Sequence, residues 1–138
     1  LSARFMRFPV YQRIRRKPVF LHVRQHGVRI HCGAFILQAA RRDDPEAHPR
    51  LGDRPRLGVI TSRRVGPAVV RNRARRLMRE IFRENQHALP RGIDVVIVMR
   101  ASYRTETFQS LTERFRKAGA RLKRAFAIAE AEAPTNEG

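Results

Sequence analysis

The chain has no tryptophan, one cysteine, two tyrosines and only twelve acidic residues among 138. A single cysteine, Cys32, excludes an internal disulfide and fits a reducing compartment. It carries no local signature of a nucleophile and reads as a small buried core residue. No uninterrupted apolar run approaches the roughly 18 residues of a membrane span, and no pattern of charge, apolar stretch and cleavage site marks a secretory leader. These absences predict a cytoplasmic protein without a membrane partner. The shortage of acids weighs most: thirty Lys and Arg against twelve Asp and Glu leave a formal charge of +18. Self-repulsion of that size calls for a polyanionic partner.

A chain of this length suits one domain with one core. Residues 1–18 read as a basic, irregular arm with scattered aromatics (Phe5, Phe8, Tyr11), interrupted by Pro9 and Pro18. A short helix is expected over Val19–His26, with Phe20 and Val23 on one side and Gly27 as its stop. From Val28 the period changes to two, with Val28, Ile30 and Cys32 alternating against Arg29 and His31, and an apolar run resumes at Phe35. That pattern predicts one long bent strand or a hairpin. Residues 41–55, rich in Pro and acids, form an exposed loop. Arg56–Ser62 and Ile93–Met99 are further strands, the second β-branched enough to be buried on both faces. A final amphipathic helix follows Ser102, with Phe108, Leu111, Phe115, Ala118, Leu122 and Phe126 recurring at three- and four-residue steps, and residues 128–138 hold its end and a disordered tail. The class is α+β, a small single-domain sandwich in the order α-β-β-β-α-β-α, with the domain over residues 19–127.

The stretch VVRNRARRLMREIFREN, Val69–Asn85, has six arginines and a regular apolar stripe. At roughly 100° per residue, Val70, Ala74, Leu77, Met78, Ile81 and Phe82 share a face that packs on the sheet. Arg75, Arg76, Arg79, Arg83 and Asn72 fall opposite, with Arg71 at the margin, and form a ladder spaced by about one turn. Glu80 and Glu84 offer Arg76–Glu80 and Arg73–Glu84 as exposed pairs worth well under about 1 kcal/mol. A solvated charged face is the plain reading of such a helix. Here the charge has one sign, and Arg63 and Arg64 in the preceding connection add to it. Phosphate binding is therefore the stronger reading.

The segment RLGVITSRRVGPAVVRNRARRLMREIFRENQHALPRGIDVVIVMR, Arg56–Arg100, resembles the bacterial ribonuclease P protein component family. The Arg71-Asn72-Arg73 triplet is weak by itself. Together with Arg75, Arg76, Arg79, the Ser62-Arg63-Arg64 turn and the LPRGIDVVI strand it becomes specific, and the likeness continues loosely to about Ala127. The resemblance implies a left-handed βαβ crossover, against the general right-handed rule. It also implies that Ser62, Arg63, Arg64, Arg71, Asn72, Arg73, Arg75, Arg76 and Arg79 contact a catalytic RNA. A cleft between the first helix and the sheet would hold the single-stranded 5′ leader of precursor tRNA, with Phe20, Arg24 and Phe35 as its residues. The implied partners are ribonuclease P RNA and precursor tRNA, with no obligatory protein partner. The implied activity is endonucleolytic removal of the leader by a ribonucleoprotein whose RNA carries the chemistry. Mg2+ would be held by RNA and substrate and none by the protein, which has no catalytic residue and is inactive alone. Two positions depart from the family: Arg24, where a second aromatic is common, and Pro67, where Asn is usual.

Rival readings follow from single features. His22 and His26 have a metal-compatible spacing but no third ligand at a convincing interval, and Ser62 has no His/Asp constellation beside it. A structural rRNA-binding protein is the main non-catalytic rival, since small α+β folds with arginine-rich helices also suit rRNA, and is separated by an assay of precursor-tRNA cleavage. A DNA-binding regulator lacks the turn-linked partner helix of a helix-turn-helix and is separated by competition with duplex DNA.

Overall fold

The computed structural model describes residues 9–132, so Phe5, Phe8 and the tail from residue 133 lie outside the described residues. Strand β1 (Val28–His31) and strand β2 (Phe35–Arg41) form an antiparallel hairpin in which Val28 faces Ala39 and His31 faces Ile36. Strand β3 (Arg56–Ile60) and strand β4 (Ile93–Met99) run parallel, and β4 also pairs antiparallel with β2, giving the order β1-β2-β4-β3. A parallel pair cannot be closed by a tight turn and needs a crossover. The arginine helix, α2 (Ala68–Asn85), supplies it. Helix α1 (Lys17–His26) precedes the sheet and helix α3 (Phe108–Glu132) follows it.

Alternation along the central strand divides the interior. Ile93, Val95, Ile97 and Met99 of β4 join Phe35, Leu37, Met78, Ile81, Phe82, Phe115 and Leu122 in one large core beneath α2 and α3. Val96 and Val98 point the other way, toward Ile14, Val19, Phe20, Val23 and Ala40. The near-continuous apolar run of β4 is thus needed because helices cover both faces. Each large side chain fully buried in this way stabilises the fold by roughly 1.5–3 kcal/mol.

Several boundaries differ from expectation for local reasons. Helix α1 begins at Lys17 because Pro18 sits in its first turn, where a missing N–H costs nothing. Within the described part of the arm, Val10–Gln12 form a short 3-10 turn. Arg13 bridges to Leu57, the Ile14 N–H donates to the Leu57 carbonyl at 2.9 Å, and buried Gln12 donates to the Pro55 carbonyl at 3.0 Å and to Gln86 at 2.7 Å. These contacts cover the outer edge of β3, which would otherwise expose unpaired backbone groups. β3 ends at Ile60. Helix α3 continues through Glu132, into the 128–138 segment expected to hold its end.

The loop from residue 42 to 55 is exposed at its surface yet anchored beneath. Leu51 is buried. Arg56 makes a bidentate pair with Asp94 at 2.8 and 2.7 Å and reaches Asp44 at 3.0 Å, and Asp44 also accepts from Arg16. These bonds hold the Asp44 carboxyl down to about 2, the Arg16 hydrogen bond contributing most.

Candidate nucleic-acid interface

Helix α2 turns its apolar stripe inward as its spacing requires. Ala74, Met78, Ile81 and Phe82 are fully buried, and Val70 and Leu77 are half-buried. The helix starts at Pro67 without a side-chain cap and without an acidic residue in its first turn. Its N-terminal N–H groups and the positive end of its dipole therefore remain available to an anion. Before it, Arg63–Val65 form a 3-10 turn in which Val65 is buried and Arg63 and Arg64 are exposed. Gly66 leaves this turn at φ 151°, and a Cβ there would come within 2.9 Å of Val70, so the tight entry into the helix requires glycine. The first turn of α2 is further fixed by the Tyr103 hydroxyl, which donates to the Val70 carbonyl at 2.7 Å.

On this scaffold Arg73, Arg76 and Asn72 are exposed and Arg71, Arg75 and Arg79 are half-buried. Arg75 donates to the Asn72 side-chain oxygen at 2.8 Å. Burial, followed by the charges of Arg13 and Arg75, lowers the pKa of Arg79. The acids of α2 do not pair as expected. Glu80 and Glu84 both bind Arg83, leaving Arg73 and Arg76 alone, because Glu80 reaches one turn forward along its own flank. Among the described residues, Arg63, Arg64, Arg71, Arg73, Arg75, Arg76 and Arg79 form no ion pair. The Arg71 Nε and Thr61 Oγ1 atoms are buried without a hydrogen-bond partner. A buried polar atom left in that state is costly unless a partner completes it.

The opposite sheet face carries a second feature. The Phe20 ring lies on β3 at Gly58, where a Cβ would come within 2.5 Å of it, so glycine makes room for the aromatic. Beyond α1, Ile36, Val98 and Ile60 stand side by side across β2, β4 and β3, with Ile60 40% exposed. This row forms an apolar floor beside Phe20, and exposed Arg24 lies one helical turn further along α1. Phe35 does not belong to this groove. It is fully buried on the other sheet face, in the core beneath α2 and α3. The groove-facing residues of β2 are Ile36 and half-buried Gln38, which the sequence reading missed. Phe35, Ile36 and Leu37 are all apolar, so parity was hidden, and only Gln38 marked the more open side.

The His22 and His26 rings lie 4.9 Å apart with their planes tilted by 38°, no three His, Cys, Asp or Glu side chains converge among the described residues, and Asp44 and Asp94 are held by arginines. Burial pushes the Cys32 thiol up to about 11, so it is not poised as a nucleophile. Among the described residues no helix is long and apolar enough to cross a membrane.

A mixed sheet between helices, with a rigid unpaired arginine face on one helix, defines a basic α/β protein of the nucleic-acid-binding class. The Ribonuclease P family model matches residues 8–123, and the chain belongs to that family. It is 36% identical over 114 residues to the ribonuclease P protein component of Gluconacetobacter diazotrophicus, covering 79% of this chain and 92% of the relative. It is 39% identical over 87 residues to that of Desulfatibacillum aliphaticivorans, covering 63% and 67%. The fold is similar to the RNase P protein from Thermotoga maritima, with a TM-score of 0.66, 26% identity and coverage of 79% and 96%. It also resembles the Staphylococcus aureus RNase P protein, with a TM-score of 0.63, 21% identity and coverage of 77% and 90%.

Proposed function

We propose that this chain is the protein subunit of a ribonuclease P ribonucleoprotein and that its α2 face binds the RNA subunit. Family membership supports a role in tRNA processing. The observation that carries the RNA contact is the unpaired set Arg63, Arg64, Arg71, Arg73, Arg75, Arg76 and Arg79 on a helix and turn immobilised by a buried face. Guanidiniums in fixed positions take phosphates in bidentate fashion with little further loss of side-chain entropy. Asn72 adds a group that both donates and accepts, and Ser62 takes part in the turn through its carbonyl, which accepts from the Val65 N–H at 3.0 Å, leaving its hydroxyl without a bond to the turn.

In this reading the groove beside Phe20 receives the single-stranded 5′ leader of precursor tRNA. Its apolar floor and the Phe20 ring suit stacked bases, and Arg24 suits the backbone. The protein supplies positioning and charge neutralisation, while the RNA carries the hydrolysis with Mg2+ held by RNA and substrate. The protein alone is inactive, acts without an obligatory protein partner and works in the cytoplasm. Single-turnover cleavage of leader-bearing precursor tRNA by ribonuclease P RNA at low magnesium, with and without the protein, tests the reading. Stimulation that depends on the RNA is the expected result. Tight RNA binding without stimulation would assign the protein to structural rRNA binding instead.

A further inference from the structure

A third basic surface lies where the ordered arm meets the 42–55 loop. A groove of about 380 Å³ opens there, lined by Tyr11, Arg13, Arg15, Arg16, His48 and Arg56 among others. Its walls are held in place independently of any ligand. Arg16 and Arg56 are committed to Asp44, Glu46 and Asp94, and the arm is tied to β3 through Ile14. Arg15 is exposed and makes no ion pair or hydrogen bond among the described residues. The Tyr11 and His48 rings stack at 5.1 Å with an interplanar angle of 21°, so the arm and the loop already meet through an aromatic pair. The imidazole is oriented by the Arg50 N–H, which donates to His48 Nδ1 at 3.0 Å, and Arg54 reaches the Tyr11 hydroxyl at 3.4 Å. His48 is exposed, so another planar ring can extend the stack. The groove also adjoins the α2 surface electrostatically, since the charge of Arg13 acts on Arg79.

We propose that this groove binds a nucleotide of single-stranded RNA, its phosphate held at Arg15 and Arg13 and its base stacked on the Tyr11–His48 pair. An aromatic platform beside cations accepts any unpaired base, whereas a base inside a duplex cannot reach it. The site extends the RNA surface of α2 around the β3 edge and rests on the RNA-binding reading above.

The test is fluorescence-anisotropy titration of the full chain with a labelled single-stranded oligoadenylate, alongside ribonuclease P RNA and a DNA duplex. Tyr11→Leu with His48→Ala should weaken oligoadenylate binding about fivefold or more, the lower range for one stacked base, and Tyr11→Phe should retain it. Arg15→Glu, at an exposed side chain without structural contacts, should weaken binding and reduce the salt slope by roughly one phosphate contact. Wild-type affinity in Arg15→Glu and in the double variant overturns the groove, as does an equal loss of duplex DNA binding. The arm that separates the two readings is Arg75→Ala with Arg79→Ala. If that variant loses ribonuclease P RNA while the groove variants change nothing, the groove fails and the α2 reading stands. If the wild-type chain binds neither RNA, both fail together.

Discussion

Two groups of arginines in this chain do opposite work. At the base of the 42–55 loop, Arg56 is buried and meets Asp94 and Asp44, with Arg16 beside it, so charge is cancelled inside the protein. On α2, five arginines from Arg71 to Arg79 remain without carboxylates, although Glu80 and Glu84 are on the same helix. The difference lies in placement. Arg56 projects from the first position of β3 toward the register partner Asp94, whereas the α2 arginines project away from the sheet and find no acid within reach. The same side chain is a structural tie where folding brings a carboxylate to it and keeps an uncompensated charge where folding withholds one.

That contrast is open to direct attack. The largest effect is expected from Asp94→Ala, which leaves the buried Arg56 guanidinium without its bidentate partner and should destabilise the fold by about 3–5 kcal/mol in urea denaturation. A loss below about 1 kcal/mol would mean that the pair is not structural. Arg75→Ala with Arg79→Ala should do the reverse. Folding stability should change by less than about 1 kcal/mol, while affinity for ribonuclease P RNA falls and the slope of log K against log salt drops by roughly 1.5 to 2. An unchanged slope would show that the ladder does not face phosphate.

Phe20→Ala probes the groove that belongs to neither arginine group. Binding of leader-bearing precursor should weaken by about 1–3 kcal/mol relative to mature tRNA, and equal losses on both substrates would make Phe20 a packing residue only. The smallest effect concerns acid. Asp44 titrates near 2 in the folded chain against an unfolded value of about 3.9, so its contribution is complete above the unfolded value and disappears as pH falls toward 2. Asp44→Asn should remove up to about 2 kcal/mol of stability at neutral pH and flatten the acid limb of the stability profile. An acid limb identical to the wild type would remove Asp44 from the structural group.

Much of this was legible in residue order because periodicity is a local property. The bounds of β4 matched expectation, α2 began one residue earlier than read, and the inward stripe from Val70 to Phe82 was correct. Phe35 was placed in the groove and lies in the core, because a run of three apolar residues does not say which parity faces which helix. Pro18 was read as a breaker and opens α1, since proline is harmful inside a helix and harmless in its first turn. The Arg56–Asp94 and Arg56–Asp44 pairs, separated by 38 and 12 residues, left no local signal at all.

By itself, then, the sequence determined that a strongly basic chain would fold an amphipathic arginine helix against a small sheet, because composition and spacing are set residue by residue. Tertiary structure alone decided which arginines are matched by a carboxylate and on which sheet face Phe20 and Phe35 lie. Pairing and face depend on strand register and on contacts between residues far apart in the chain.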